Sequence, residues 1–260
     1  EGVARAKQEL LDGAQPGDVV CLNLDDPRVA AMAVPDDVRV ITYGTHPSAT
    51  IRLTDVAVDG SRLATRLRVD TPDGPVRAVL AVPGAHLAIN AAAAVAVAFA
   101  LRVPLGGLGA ALSAFVPEGM RNRVERIGSA AVLDDAYNAN PLSMDAALRA
   151  LRALDGVHYA VLGDMLELGA EEASGHAATL ALALELGLEN TWVTGPRMVE
   201  AARAFPRVRC FDDADAVATA LLSAGVGEPG TEVATALLVK GSRGMKMERV
   251  VERLRAARRG

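Results

Sequence analysis

The chain has 260 residues, 51% hydrophobic and 23% charged, with a net charge of −5. This is the balance of a soluble globular protein, long enough to bury the core of one large domain or two ordinary ones. It excludes a broad basic surface for nucleic acid; only Arg253, Arg255, Arg258 and Arg259 gather near the C-terminal end, where cations suit a helix macrodipole.

Val3, Lys7, Leu10 and Leu11 fall at i, i+4, i+7 and i+8, which predicts a helix over Glu1–Asp12, closed by Gly13 and Pro16. Short apolar strands are expected at Asp18–Leu24 and Val38–Tyr43. Strands at Ile51–Val58, Arg62–Val69 and Val76–Val82, separated by Asp59-Gly60 and Asp73-Gly74, suggest an antiparallel meander. An Ala-rich helix over His86–Leu101 and a helix near Leu105–Phe115 follow. Pro117 and Gly119 interrupt the pattern and mark a seam at Val116–Arg121.

From about Asn122 strands and helices alternate. Strands are expected at Ala131–Leu133, Tyr159–Leu162, Thr191–Val193, Val208–Cys210 and Ala236–Val239. Helices are expected at Pro141–Leu154, Glu171–Leu186, Pro196–Ala204, Ala214–Ala224 and Gly244–Arg255. Such alternation implies an α/β fold, a mostly parallel sheet with helices on both faces.

Two cysteines, Cys21 and Cys210, make neither a disulfide framework nor a metal spacing, and a reducing cytoplasm is the expectation. The first residues read as a helix and not as a signal peptide. The longest apolar run, Leu87–Leu101, contains Asn90 and is too short to span a bilayer, so no membrane insertion is expected.

Ligands of open α/β sheets bind beyond the carboxyl ends of the strands. Three predicted strands here end in polar strings: Asp134-Asp135-Ala136-Tyr137-Asn138-Ala139-Asn140-Pro141, Gly163-Asp164-Met165-Leu166-Glu167-Leu168-Gly169, and Lys240-Gly241-Ser242-Arg243-Gly244-Met245. Asn140 before Pro141 and the stripe Met144, Ala147, Leu148, Leu151 reads as an N-cap with Pro at N1, worth roughly 1 kcal/mol. Asp25 and Asp26 before Pro27 are explained as a turn with a capping Asp. Asp164 and Glu167 suit a turn or a first helical turn. Lys240, Ser242 and Arg243 form a strand-to-helix loop suited to an anion. His86 and Asn90, at i and i+4, share a helix face, and Asn90 reads either as a buried, satisfied amide or as a ligand contact.

In this order and spacing, D-D-A-Y-N-A-N-P, G-D-M-L-E-L-G and V-K-G-S-R-G-M-K-M-E resemble the C-terminal domain of the Mur ligase family, in the branch that adds D-alanyl-D-alanine. E-G-V-A-R-A-K, N-L-D-D-P and P-G-A-H-L-A-I-N-A resemble that family's central ATPase domain. The resemblance implies part of a central ATP-binding domain over residues 1–118, with the β-meander, and a Rossmann-like C-terminal ligase domain over 119–260. It implies an ATP-dependent, cytoplasmic, monomeric enzyme that uses Mg2+ and joins D-alanyl-D-alanine to UDP-N-acetylmuramoyl-tripeptide through an acyl phosphate. Another Mur or folylpolyglutamate-type ligase, or a non-catalytic binding module, are the rivals. The family's phosphate loop, G-x-x-x-x-G-K-[ST], does not occur in these residues, so the chain alone is expected not to ligate.

By the same resemblance Lys7 corresponds to a lysine that can carry a carbamate and help hold magnesium; a snorkelling lysine is the plainer reading. Asn90 and His86 would lie beside the adenine, although this chain has Gly84-Ala85-His86-Leu87 where relatives commonly show G-R-H-N. Arg121, with Arg123 as the less well aligned choice, would approach the phosphates. Asp135 would accept the ribose hydroxyls, with Asn138 beside it. Asp164, Glu167, Lys240, Ser242 and Arg243 would contact the substrate or dipeptide. His176 matches a family histidine, but its place on a helix face reads as structural.

Overall fold

The computed structural model describes residues 2–116, 123–230 and 234–258, and the chain divides into two compact units. The first comprises residues 1–58, 65–81 and 85–115; the second comprises 59–64, 82–84 and 116–260.

The first unit contains helices α1 (Gly2–Asp12), α2 (Pro27–Ala30), α3 (Ala85–Ala100) and α4 (Leu108–Ser113). Its sheet has the order β1 (Val19–Asn23), β2 (Arg39–Gly44), β3 (Ile51–Asp59), β4 (Ala64–Thr71), β5 (Gly74–Leu80). Strands β1 and β2 run parallel, and β3 joins β2 in parallel at Tyr43↔Ile51 and Gly44↔Arg52. The sheet is therefore mixed, and the expected meander forms only part of it. Strands β4 and β5 pair antiparallel from Thr65↔Leu80 to Thr71↔Gly74, around the two-residue turn Pro72-Asp73, and Gly74, the first residue of β5, has φ +122. Side chains alternate across a strand, so Val76, Ala78 and Leu80 are buried opposite Val69, Leu67 and Thr65. On α3 the buried residues are Ala88, Ala91, Ala92, Val95 and Ala96, a helical stripe of small side chains that packs on β1 and β2.

Helix α1 forms as its periodicity predicts, yet among its described residues only Leu11 is buried; Val3 and Leu10 are both 77% exposed. Periodicity identified the helix and its apolar face but not whether that face is covered.

The second unit has the sheet order β10 (Arg209–Phe211), β9 (Asn190–Thr194), β8 (Val157–Leu162), β11 (Thr235–Lys240), β7 (Ala130–Asp135), β6 (Arg123–Ile127). All pairs are parallel except β6–β7. Strand β6 is absent from the sequence expectations: it is a five-residue edge strand, Arg-Val-Glu-Arg-Ile, whose mixed charges hide its apolar alternation.

Every residue of β11 is buried, as a central parallel strand requires. Ala236 and Leu238 face one core with α5 (Pro141–Arg152), α6 (Glu172–Glu185) and α7 (Pro196–Ala202). Leu237 and Val239 face the other with α8 (Ala214–Ser223) and α9 (Glu248–Ala257). Strand β7 splits in the same way, Ala131 and Leu133 to the first core, Ala130 and Val132 to the second. Leu148 and Leu151 of α5 are fully buried, each worth about 1.5–3 kcal/mol.

Candidate functional site at the strand ends of the second unit

The three polar strings follow β7, β8 and β11, which lie side by side as β8-β11-β7. The period of two continues to the last strand residues. It carries Asp135 and Lys240 to the side already taken by Leu133 and Leu238, and the two are register partners. Lys240 Nζ pairs with Asp135 Oδ2 and donates to the Asn138 carbonyl at 2.9 Å. Lys240 is 1% exposed, a buried ammonium held by a carboxylate and a carbonyl.

The neighbouring loops are knitted together by their backbone. Gly163 N–H donates to the Lys240 carbonyl at 2.7 Å, Ser242 N–H to the Asp164 carbonyl at 2.9 Å, and Leu166 N–H to Ser242 Oγ at 2.8 Å. Gly163 and Gly241 allow this close approach: a Cβ on either would come within 2.9 or 2.8 Å of the buried Met247 side chain.

Several residues expected at the substrate are instead engaged inside the fold. Asp164 is fully buried and caps α7, accepting Met198 N–H at 2.8 Å and Arg197 N–H at 3.3 Å. The Arg197 guanidinium lies 3.5 Å from Asp164 and 2.6 Å from Glu172. Asp164 is thus a tertiary cap, because α7 begins at Gly195-Pro196 with no side-chain cap of its own. Ser242 is 4% exposed and ties the β8 and β11 loops together. Lys240 is turned into the Asp135 pair. Glu167 and Arg243 do stand exposed, Glu167 at φ +64 and Arg243 3.6 Å from Glu248. Left-handed backbone at a non-glycine residue is a strained arrangement that clusters at functional loops.

Asn138 and Tyr137 are exposed on the loop after β7. Asn140 caps α5 in a capping box with Ser143, as its position before Pro141 predicts. His176 is structural: its Nε2 accepts Met165 N–H at 2.9 Å, and its Nδ1 contacts the Glu172 carbonyl at 2.6 Å. Asp26 caps α2, while Asp25 accepts from Thr45 N–H at 2.8 Å and His46 N–H at 3.0 Å.

Asp134 was not singled out by its sequence. It is 4% exposed on the α8–α9 side of β7, and its Oδ1 has no hydrogen-bond partner among the described residues. Burial, with the Glu125 charge adding to it, pushes its carboxyl up to about 6 against the pull of the Ala136 N–H, Arg255 and Arg123. The readable signal is a pair of adjacent acids ending an apolar strand, since alternation must send one to each face.

In the first unit His86 and Asn90 lie a helical turn apart on α3, His86 half-buried and Asn90 exposed; the buried-amide reading of Asn90 is thereby set aside. Lys7 is exposed on α1. Arg121 lies outside the described residues, and Arg123 is exposed on β6, 3.9 Å from Glu125. Among the described residues no group of three or more His, Cys, Asp or Glu is placed to hold a metal ion. No helix among them is long and apolar enough to cross a membrane.

Comparison with known proteins agrees with this architecture. The Mur ligase middle domain matches residues 1–98, and the Mur ligase glutamate ligase domain matches residues 122–243. UDP-N-acetylmuramoyl-tripeptide–D-alanyl-D-alanine ligase of Escherichia coli (strain K12) is 31% identical over 255 residues, covering 97% of this chain and 55% of its own length. The ligase of the same name from Mycobacterium leprae (strain TN) is 34% identical over 225 residues, covering 75% and 43%. The chain thus spans about half the length of the curated relatives it matches. Crystal structure I of MurF from Acinetobacter baumannii superposes with a TM-score of 0.88 at 25% identity, over 98% of this chain and 55% of that one. The MurF ligase of Thermotoga maritima, solved with ADP, shares the fold at a TM-score of 0.83 and 21% identity, over 98% and 57%. With the two Mur ligase domains in sequence, and strand ends bearing the polar strings that announced them, the chain belongs to the Mur ligase family.

Proposed function

We propose that the chain belongs to an ATP-dependent ligase that joins D-alanyl-D-alanine to UDP-N-acetylmuramoyl-tripeptide in the cytoplasm, acting as a monomer. The observation that carries this reading is the gathering of Asp135, Lys240 and the Asn138 loop at the carboxyl edge of β8-β11-β7, where an open α/β sheet takes its ligand. It is supported by the ligases of Escherichia coli and Mycobacterium leprae, whose names state this reaction. We assign residues 1–118 to the nucleotide-handling domain and 119–260 to the domain that receives the incoming amine.

In the proposed reaction the γ-phosphoryl group of ATP passes to the tripeptide carboxylate. The dipeptide amine attacks the resulting acyl phosphate, forms the amide, loses its proton and expels phosphate. Asp135 would accept the ribose hydroxyls with Asn138 beside it, Asn90 and His86 would face the base, and Arg121 the phosphates. Exposed Glu167 and Arg243 are the groups best placed to meet a zwitterionic dipeptide. Lys7 is the residue the resemblance gives to magnesium.

The test is a chimaera that places the front portion of the Escherichia coli relative before residue 1. Phosphate release from ATP should require both UDP-N-acetylmuramoyl-tripeptide and D-alanyl-D-alanine. Release supported by a single amino acid, and not by the dipeptide, would overturn the assignment.

A further inference from the structure

We infer that Lys240 is a positioning residue for the nucleotide side of the site, acting through Asp135, and is not a contact for the dipeptide. The inference deepens the proposed function and rests on its reading of Asp135 as the acceptor for ribose hydroxyls.

Lys240 is the last residue of β11, and its register partner on β7 is Asp135. Its side chain is 2% exposed and that of Asp135 is 14% exposed, so the ammonium lies deeper than the carboxylate it holds. Nζ reaches the Asp135 carboxylate and the Asn138 carbonyl, the latter at 2.9 Å. One cation therefore fixes both the strand end and the turn that follows it. Its own carbonyl accepts Gly163 N–H at 2.7 Å, which anchors the same residue to the loop after β8.

A buried ammonium is tolerated only while it is paired and hydrogen-bonded. Reaching out to a substrate carboxylate would strip Lys240 of these partners. The chemistry that fits is indirect: Lys240 sets the direction of the Asp135 carboxylate, and Asp135 meets the sugar diol of an adenine nucleotide.

The experiment is calorimetric titration of this chain with ADP, with 2′,3′-dideoxy-ADP and, separately, with D-alanyl-D-alanine. Wild type, Lys240→Met, Lys240→Gln and Asp135→Asn are compared, each checked by thermal melting. Wild type is expected to bind ADP at least 10-fold more tightly than the dideoxy analogue. Lys240→Met should reduce that discrimination to less than 3-fold while leaving dipeptide affinity within 2-fold. Lys240→Gln, which keeps a donor in the same space, supplies the reading if the Met variant does not fold. Weakened dipeptide binding with the ribose discrimination intact, in whichever variant is folded, overturns the inference and makes Lys240 a dipeptide contact. Failure of the underlying reading looks different: wild type shows no ADP binding or no discrimination, or Asp135→Asn retains the discrimination in full. That result removes both. A purely structural lysine would shift melting and weaken both nucleotides equally, which also overturns the assignment.

Discussion

Asp134 and Asp135 are adjacent in sequence and opposite in circumstance. Asp135 has a cationic partner, whereas Asp134 is buried with one oxygen lacking a hydrogen-bond partner among the described residues. The Asp134 carboxyl is raised from 3.8 to about 6, so the folded state holds its proton more tightly than the unfolded state does. Its contribution favours folding below about pH 4 and is lost as pH rises through about 6. The loss is roughly 3 kcal/mol at 1.36 kcal/mol per pH unit. Asp134→Asn should therefore be more stable than wild type at pH 7, with a margin that shrinks toward pH 4; urea denaturation across that range measures it. An equal margin at both ends would show that Asp134 does not titrate in this window. Lys7 makes a contrasting case. Exposed on α1, its replacement by Ala should change stability by less than about 0.5 kcal/mol. In the chimaeric ligase the same change should abolish turnover if the family role holds, and unchanged turnover would dismiss that role.

At the scale of elements, helix starts were the most legible features, because a cap is a local device. Asn140, Pro141 and Ser143 lie within four residues, and Asn140→Ala should lower stability by about 1 kcal/mol, seen as a reduced melting temperature. Helix α7 is different, since its cap, Asp164, is 34 residues from Met198. Gly195 makes that arrangement possible: it sits at φ +99, and a Cβ there would lie 2.5 Å from Asp164 Oδ1. Gly195→Ala should thus cost more than the roughly 1 kcal/mol of an ordinary cap deletion, through strain and displacement of a buried carboxylate. A melting temperature within a degree of wild type would contradict this. The string around Asp164 read as a substrate loop because a polar strand-end acid looks the same whether it meets a ligand or a neighbouring helix.

For the whole molecule, the present chain lacks a G-x-x-x-x-G-K-[ST] string, and by itself it should show no ATP-dependent ligation; measurable turnover by these 260 residues alone would refute that. The alternation of strand and helix after residue 122 announced the parallel sheet of the second unit, because each element's period is written in consecutive residues. Hidden from that reading were the sheet order, which slips β11 between β7 and β8, and the edge strand β6, whose short mixed-charge run looks like a linker.

The sequence by itself determined most of the elements, the local cap of α5, the two domain signatures and the polar strings at three strand ends, all properties of neighbours along the chain. The tertiary structure alone decided which of those polar groups are available to a ligand. Lys240 meets Asp135 across 105 residues, and Asp164 meets the start of α7 from another strand. A buried charge must find its partner wherever the fold brings one, and sequence spacing carries no record of that distance.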